Sequence, residues 1–165
     1  MMSANSLAHS LQPLVEALKQ RHFDRAILGL KQFLSSHPDH ELALGMLASA
    51  YVEIGMREAA QERYERLLEK YPGNTLARFQ LGLLHLDTQP AQALSVWEPL
   101  LAVEQEFMAH FHSALANVQL GNLPAARPLL EHAARYMPAD HPLRDQLVQL
   151  RARLGASTSS NGYRP

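Results

Sequence analysis

The chain has 165 residues, 47% of them apolar, which is enough to bury the core of one domain or one short solenoid. With 15 Lys and Arg against 16 Asp and Glu, it carries too little net charge for a nucleic-acid or membrane-surface role resting on charge. Cys is absent, which excludes disulfides and thiolate zinc sites.

Residues 1–6 are expected to be a flexible N-terminus, and Met1 to Gln12 lack the basic start and seven-residue apolar run of a signal peptide. From residue 7 to 154, apolar positions recur three and four apart, predicting helices of roughly twelve to fifteen residues arranged in pairs. The first pair, 7–40, closes at Pro38, with Asp39 the expected cap of the following helix. The second, 41–74, turns at Gly55, which can take the left-handed conformation that ends a helix, and closes at Pro72 with Asn74 as the next cap. Its run Glu58 to Lys70 alternates acids and bases, as in the pair Glu62 and Arg66, and is expected to be a solvated face. The third pair, 75–106, is shortened around Asp87 to Pro90. It carries Pro99 inside its second helix, where a lost hydrogen bond and a ring clash costing about 3 kcal/mol predict a bend. The fourth, 107–140, turns at Gly121 with Asn122 as cap, has Pro128 placed like Pro99, and closes at Pro138 with Asp140 as the next cap. Residues 141–154 give one more amphipathic helix, with Leu143, Leu147, Leu150 and Leu154 on one side, ended by Gly155 and fit to cap a stack of pairs. The Ser/Gly-rich remainder, 155–165, is expected to be a disordered tail. No stretch approaches 18 apolar residues, so a soluble, cytoplasmic protein is expected.

The pairs repeat. Pro38 and Pro72 lie 34 residues apart, and Pro138 lies 66 further on, two periods less two residues. In unit 41–74, Leu47, Ala48, Tyr51, Gly55, Ala60, Tyr64, Leu67 and Pro72 fall on the leucine, small, tyrosine, turn-glycine, alanine, aromatic, small-apolar and proline positions of the tetratricopeptide repeat (TPR). The chain therefore resembles the TPR family. Leu44 stands where tryptophan is usual and Leu67 where alanine is usual. Gly121, Ala126, Leu130, Ala133 and Pro138 match in the last unit, Leu81, Gly82, Ala93 and Trp97 in the third, and Ala26, Leu30, Phe33 and Pro38 in the first. The resemblance implies an all-α, right-handed superhelix of about four helix-turn-helix pairs plus a C-terminal capping helix.

In proteins of this family the first helix of each pair lines the concave face. Carried onto this chain, the resemblance places Leu11, Val15 and Leu18 there from the first unit, and Gly45, Ser49 and Val52, edged by Leu42, from the second. Leu76, Phe79, Leu83 and Leu86 follow from the third, then Met108, Phe111, Leu115 and Val118 from the fourth. This stripe is almost entirely apolar. In the fourth unit the inward stripe holds Ala109, Ser113, Ala114, Ala116 and Asn117 while the large residues point to the groove, an inversion that asks for a covering partner. The expected partner is an apolar helical or extended segment of another protein, with Gly45 and Ser49 allowing close approach. The alternatives are a second copy pairing through the same face, or the chain's own N-terminal residues or 141–154 helix. The stretch Phe107 to Ala133, with Phe111, His112 and Ala114 ahead of Gly121, also resembles the third repeat of the class II chaperones of bacterial type III secretion. A carboxylate clamp is not expected, because Val15, Ser49 and Leu83 stand where Lys and Asn would be needed.

Nine histidines invite a metal or catalytic reading that their spacing does not support. His110 and His112 are two apart on a helix, and His37 and His40 flank a proline turn. His85 takes a slot usually held by tyrosine, and Trp97 fits the family's core aromatic. No Gly-rich phosphate loop, GxSxG or HExxH occurs. No enzyme activity, cofactor, metal or nucleic-acid partner is expected.

Overall fold

The computed structural model describes residues 4–159, whose elements are all helical. They are α1 (Ala4–Lys19), α2 (Phe23–Ser36), α3 (Glu41–Glu53), α4 (Arg57–Lys70), α5 (Thr75–Leu86), α6 (Pro90–Trp97), a 3₁₀ turn (Glu98–Ala102), α7 (Phe107–Gln119), α8 (Leu123–Tyr136) and α9 (Arg144–Ser159). The chain divides into two compact units, 1–81 and 82–165, with the boundary inside α5.

In the first unit α3 is the central helix, packed against both α2 and α4. That position explains its composition. Seven of its residues are buried (Ala43, Leu44, Met46, Leu47, Ala48, Ala50 and Tyr51) on more than one side, so it lacks the one-sided pattern of a surface helix. Ala60, Tyr64 and Leu67 of α4 and Ala26 and Leu30 of α2 complete this core. In the second unit Trp97 is fully buried, and Gly82 makes room for it: a Cβ at that glycine would lie 2.1 Å from Trp97 Nε1.

Turn chemistry follows the sequence closely. Gly55 and Gly121 take φ of 75° and 74°. The amides of Met56 and Asn122 then reach back to the carbonyls of Tyr51 and Asn117 at 2.9 and 2.8 Å, satisfying helix-end acceptors. The α1–α2 turn has the same bonds, His22 N–H to Ala17 O at 2.8 Å and Arg21 N–H to Leu18 O at 3.0 Å, but places Arg21 at φ 58° without a glycine. Asn74 and Asn122 cap α5 and α8 through the Ala77 and Ala125 amides at 2.8 and 3.4 Å. Asp39 and Asp140 do not cap. His40 takes the capping place at α3, while Asp39 is drawn to Lys70 and Arg66 at 3.0 and 3.3 Å. Near α9, His141 accepts the Leu143 amide at 3.2 Å.

The two internal prolines differ. At Pro99 the α-helix ends at Trp97 and the chain continues as the 3₁₀ turn, so a switch of helix type replaces the expected bend. Pro128 is the sixth residue of α8, exposed, and the helix runs on through it to Tyr136. α1 begins at Ala4, inside the stretch expected to be flexible, and α9 passes Gly155 and continues to Ser159, inside the stretch expected to be disordered. Gly155 has no positive φ, and a glycine ends a helix only when it adopts one. Residues 1–3 and 160–165 of those two stretches lie outside the described residues.

Candidate groove in the first unit

On α3 the residues Leu42, Gly45, Ser49 and Val52, spaced three, four and three, share one face, on which Leu42, Ser49 and Val52 are exposed. Beside this face lies a groove of about 730 Å³ in the first unit. Its floor is α3 at Gly45, Met46 and Ser49, with Tyr64, Leu67 and Tyr71 behind. Leu18 of α1 closes one side, and Leu76, Ala77 and Gln80 of α5 the other. Leu42 and Leu76 are 58% and 68% exposed, so two leucines stand in water at its rim.

Gly45 sets the depth. It lies within α3 at ordinary helical φ, where glycine costs about 1 kcal/mol relative to alanine. A Cβ there would meet only Leu67 Cδ2, at 3.7 Å, an ordinary contact. Nothing in the packing requires the glycine; its effect is open space at the groove floor.

Several polar groups around the groove are committed to the frame. Ser49 Oγ and Tyr64 Oη are hydrogen-bonded at 3.1 Å, and burial pushes the Tyr64 phenol above its usual range. Asn74 donates to Glu41 at 2.8 Å while its own Oδ1 caps α5. The Tyr71 phenol donates to the Asp39 carbonyl at 2.7 Å, and Lys70 foremost, with Arg66, holds the Asp39 carboxyl below its ordinary value. No Lys or Arg lines the groove.

Of the stripe expected from sequence, the structure brings Leu18, Gly45, Ser49 and Leu76 to this groove. Leu11 and Val15 line a neighbouring shallow hollow with Leu42, and Leu11 is itself only 2% exposed. Val52 is exposed beyond the groove, and Phe79 is half-buried outside its lining. Sequence reasoning missed His40, Glu41, Met46, Tyr64, Leu67, Tyr71, Asn74, Ala77 and Gln80. Most of these belong to second helices or helix ends, whose approach to α3 no spacing within one helix reveals.

The second unit corrects the expectation for the fourth pair. Phe111 is fully buried in a cluster with Leu130 of α8 and Leu147 and Leu154 of α9, and Leu115 and Val118 pack against that cluster. Phe111 is therefore core and offers no docking surface, while Leu115 and Val118 stay partly buried at the edge of the cluster. Leu86 is likewise buried, while Leu83 and Met108 are half-buried. The inward stripe Ala109, Ser113, Ala114, Ala116 and Asn117 is buried as expected. It accompanies a second buried flank and does not leave the large residues bare. His85 and Trp97 are both core. The described residues contain no group of three or more metal-ligating side chains and no helix long and apolar enough to cross a membrane.

Two family models described as tetratricopeptide repeat match residues 17–81 and 87–140. The human protein O-mannosyl-transferase TMTC3 is 31% identical over 131 residues, which cover 76% of this chain but only 13% of that protein. Among solved structures, MamA 41-end from Desulfovibrio magneticus aligns with TM-score 0.75 at 17% identity, over 95% of this chain and 98% of its own. PilW, a type IV pilus biogenesis factor, aligns with TM-score 0.76 at 19% identity, over 93% and 73%. A repeat protein from Parabacteroides merdae aligns with TM-score 0.75 at 22% identity, over 99% and 68%. These structural likenesses are likenesses of fold.

Proposed function

Because the chain belongs to the tetratricopeptide-repeat family, we propose that it is a protein-binding scaffold whose first-unit groove takes an apolar helical or extended segment of another protein. The observation that carries this reading is the pair of exposed leucines, Leu42 and Leu76, flanking a floor opened by Gly45. Covering both leucines gains on the order of 2–4 kcal/mol, and exposed apolar surface beside a concavity is what interaction sites present. A binding role fits a groove in which Ser49, Tyr64 and Asn74 are already tied to its own helices. The same chemistry suits a chaperone that shields such a segment before its assembly, in this chain's own compartment, the cytoplasm. The stripe residues of the second unit that keep some exposure, Leu83, Met108, Leu115 and Val118, are secondary contacts in this reading.

The test is affinity capture with wild type and the Leu42→Asp, Leu76→Asp double variant. Both positions are exposed, so helical circular dichroism is expected to stay unchanged while the captured protein is lost; equal capture by the two would refute the reading. The second reading, pairing of two copies through the same leucines, predicts a dimer by light scattering that the double variant converts to monomer.

A further inference from the structure

Within one turn, between α2 and α3, two histidines have hydrogen bonds of opposite polarity. His37 Nδ1 faces the Phe33 carbonyl oxygen at 3.3 Å, which can only accept, so this nitrogen carries a proton. His40 Nδ1 faces the Ala43 backbone N–H at 3.3 Å, which can only donate, so this nitrogen must be bare. A fully protonated imidazolium keeps the first bond and cannot make the second. His110 and His112 donate to carbonyls as His37 does, at 2.9 and 2.8 Å, and so does His132 through Nε2, at 2.7 Å. Just before α9, His141 also accepts a backbone N–H, from Leu143 two residues on.

The surroundings leave a protonated His40 few compensations. Asp39 is already held by Lys70 at 3.0 Å and Arg66 at 3.3 Å, and Glu41 accepts from Asn74 at 2.8 Å. On the α2 side the Phe33 ring meets His40 edge-on at 5.1 Å and stacks on His37 at 4.7 Å, so a second imidazole stands behind the first. The phenol of Tyr71, from the end of α4, is spent on the Asp39 carbonyl. A cationic ring at this place would also oppose the partial positive charge of the α3 N-terminus.

We propose that His40 is a pH-sensitive cap on the helix that floors the groove. With a neutral ring the first turn of α3 is closed. As imidazoles protonate on passing from neutral to mildly acid pH, the Ala43 amide loses its acceptor and the turn bearing Glu41 and Leu42 loosens. Its consequence for binding rests on the proposed groove, whose rim includes His40, Glu41 and Leu42; the cap itself does not.

The experiment uses the full chain labelled with ¹⁵N. Exchange of the Ala43 amide, corrected for its intrinsic pH dependence, is expected to rise about fivefold between pH 7.5 and 5.5, the loss of one N-cap. In His40→Asn, whose side chain caps at both pH values, that rise is expected to vanish, and in His37→Asn it is expected to persist. Equal Ala43 protection at both pH values in wild type, or a rise abolished by His37→Asn and kept by His40→Asn, overturns the cap. The neutral dye N-phenyl-1-naphthylamine probes the groove separately. Dye binding that weakens in acid in wild type but not in His40→Asn supports control of the groove, and dye binding indifferent to pH while Ala43 exchange follows it overturns that control. Dye binding that survives the Leu42→Asp, Leu76→Asp double variant counts against the groove, and the cap then stands or falls on the Ala43 result.

Discussion

Two glycines inside helices should respond to the same substitution with opposite sign. Gly45 in α3 and Gly82 in α5 both lie at ordinary helical φ, so replacement by alanine gains about 1 kcal/mol of helix propensity at each. At Gly45 the new methyl meets Leu67 Cδ2 at 3.7 Å, so the gain is kept whole. At Gly82 it would fall 2.1, 2.3 and 2.7 Å from Nε1, Cε2 and Cδ1 of Trp97, an indole with no exposed surface into which it could move. Overpacking of this kind costs about 1–3 kcal/mol, and a clash with the body of a fully buried ring belongs at the upper end, for a net loss of about 2 kcal/mol. In a chain of this length 1 kcal/mol moves the melting temperature by roughly 2–4 °C. Thermal melts followed by circular dichroism should therefore show Gly45→Ala about 2–4 °C above wild type and Gly82→Ala about 4–8 °C below. Equal stabilisation by both would show that Gly82 does not make room for Trp97. A Gly45→Ala protein less stable than wild type would show that the groove floor is not open.

Arg21→Gly should stabilise. The change removes a left-handed conformation that costs a residue with a Cβ about 1–2 kcal/mol, at the expense of an exposed ion pair with Glu53, 72% and 46% exposed, and a guanidinium contact over Phe23 at 5.2 Å, which together contribute about 1 kcal/mol. A urea midpoint no higher than that of wild type would refute this. The second unit should lose stability in mild acid. Burial pushes the His112 imidazole below its ordinary 6.5, against the opposing bond to the Met108 carbonyl, so the folded chain favours the neutral ring. That stabilisation is present above pH 6.5 and is lost as the pH falls from there through the lowered folded value. His112→Phe, which keeps a ring beside Trp97 and Phe111, should flatten the fall in melting temperature between pH 7.5 and 5.5; an unchanged slope would refute the assignment.

How much of this was legible beforehand depended on the range of the interaction. Gly55, Gly121, Asn74 and Asn122 act within one turn of where they stand, so residue type and spacing announced them. The histidine cap was not announced, because whether Asp39 or His40 takes the α3 terminus is decided by Lys70 and Arg66, which lie on another helix and hold the aspartate. The buried positions of the second unit divide the same way. Leu147 and Leu154 could be assigned to one face of the last helix from their spacing, whereas their joining Phe111 and Leu130 in one buried cluster depends on how the helices pack.

The sequence by itself determined the helical pairs, their repeat period, their turns and the family they belong to, since all of these arise from contacts between residues a few positions apart. Only the tertiary structure decided which apolar residues face water. A leucine on an amphipathic helix is core or rim according to what another segment lays over it, and so Phe111 lies inside a cluster shared with α8 and α9 while Leu42 and Leu76 remain exposed beside Gly45.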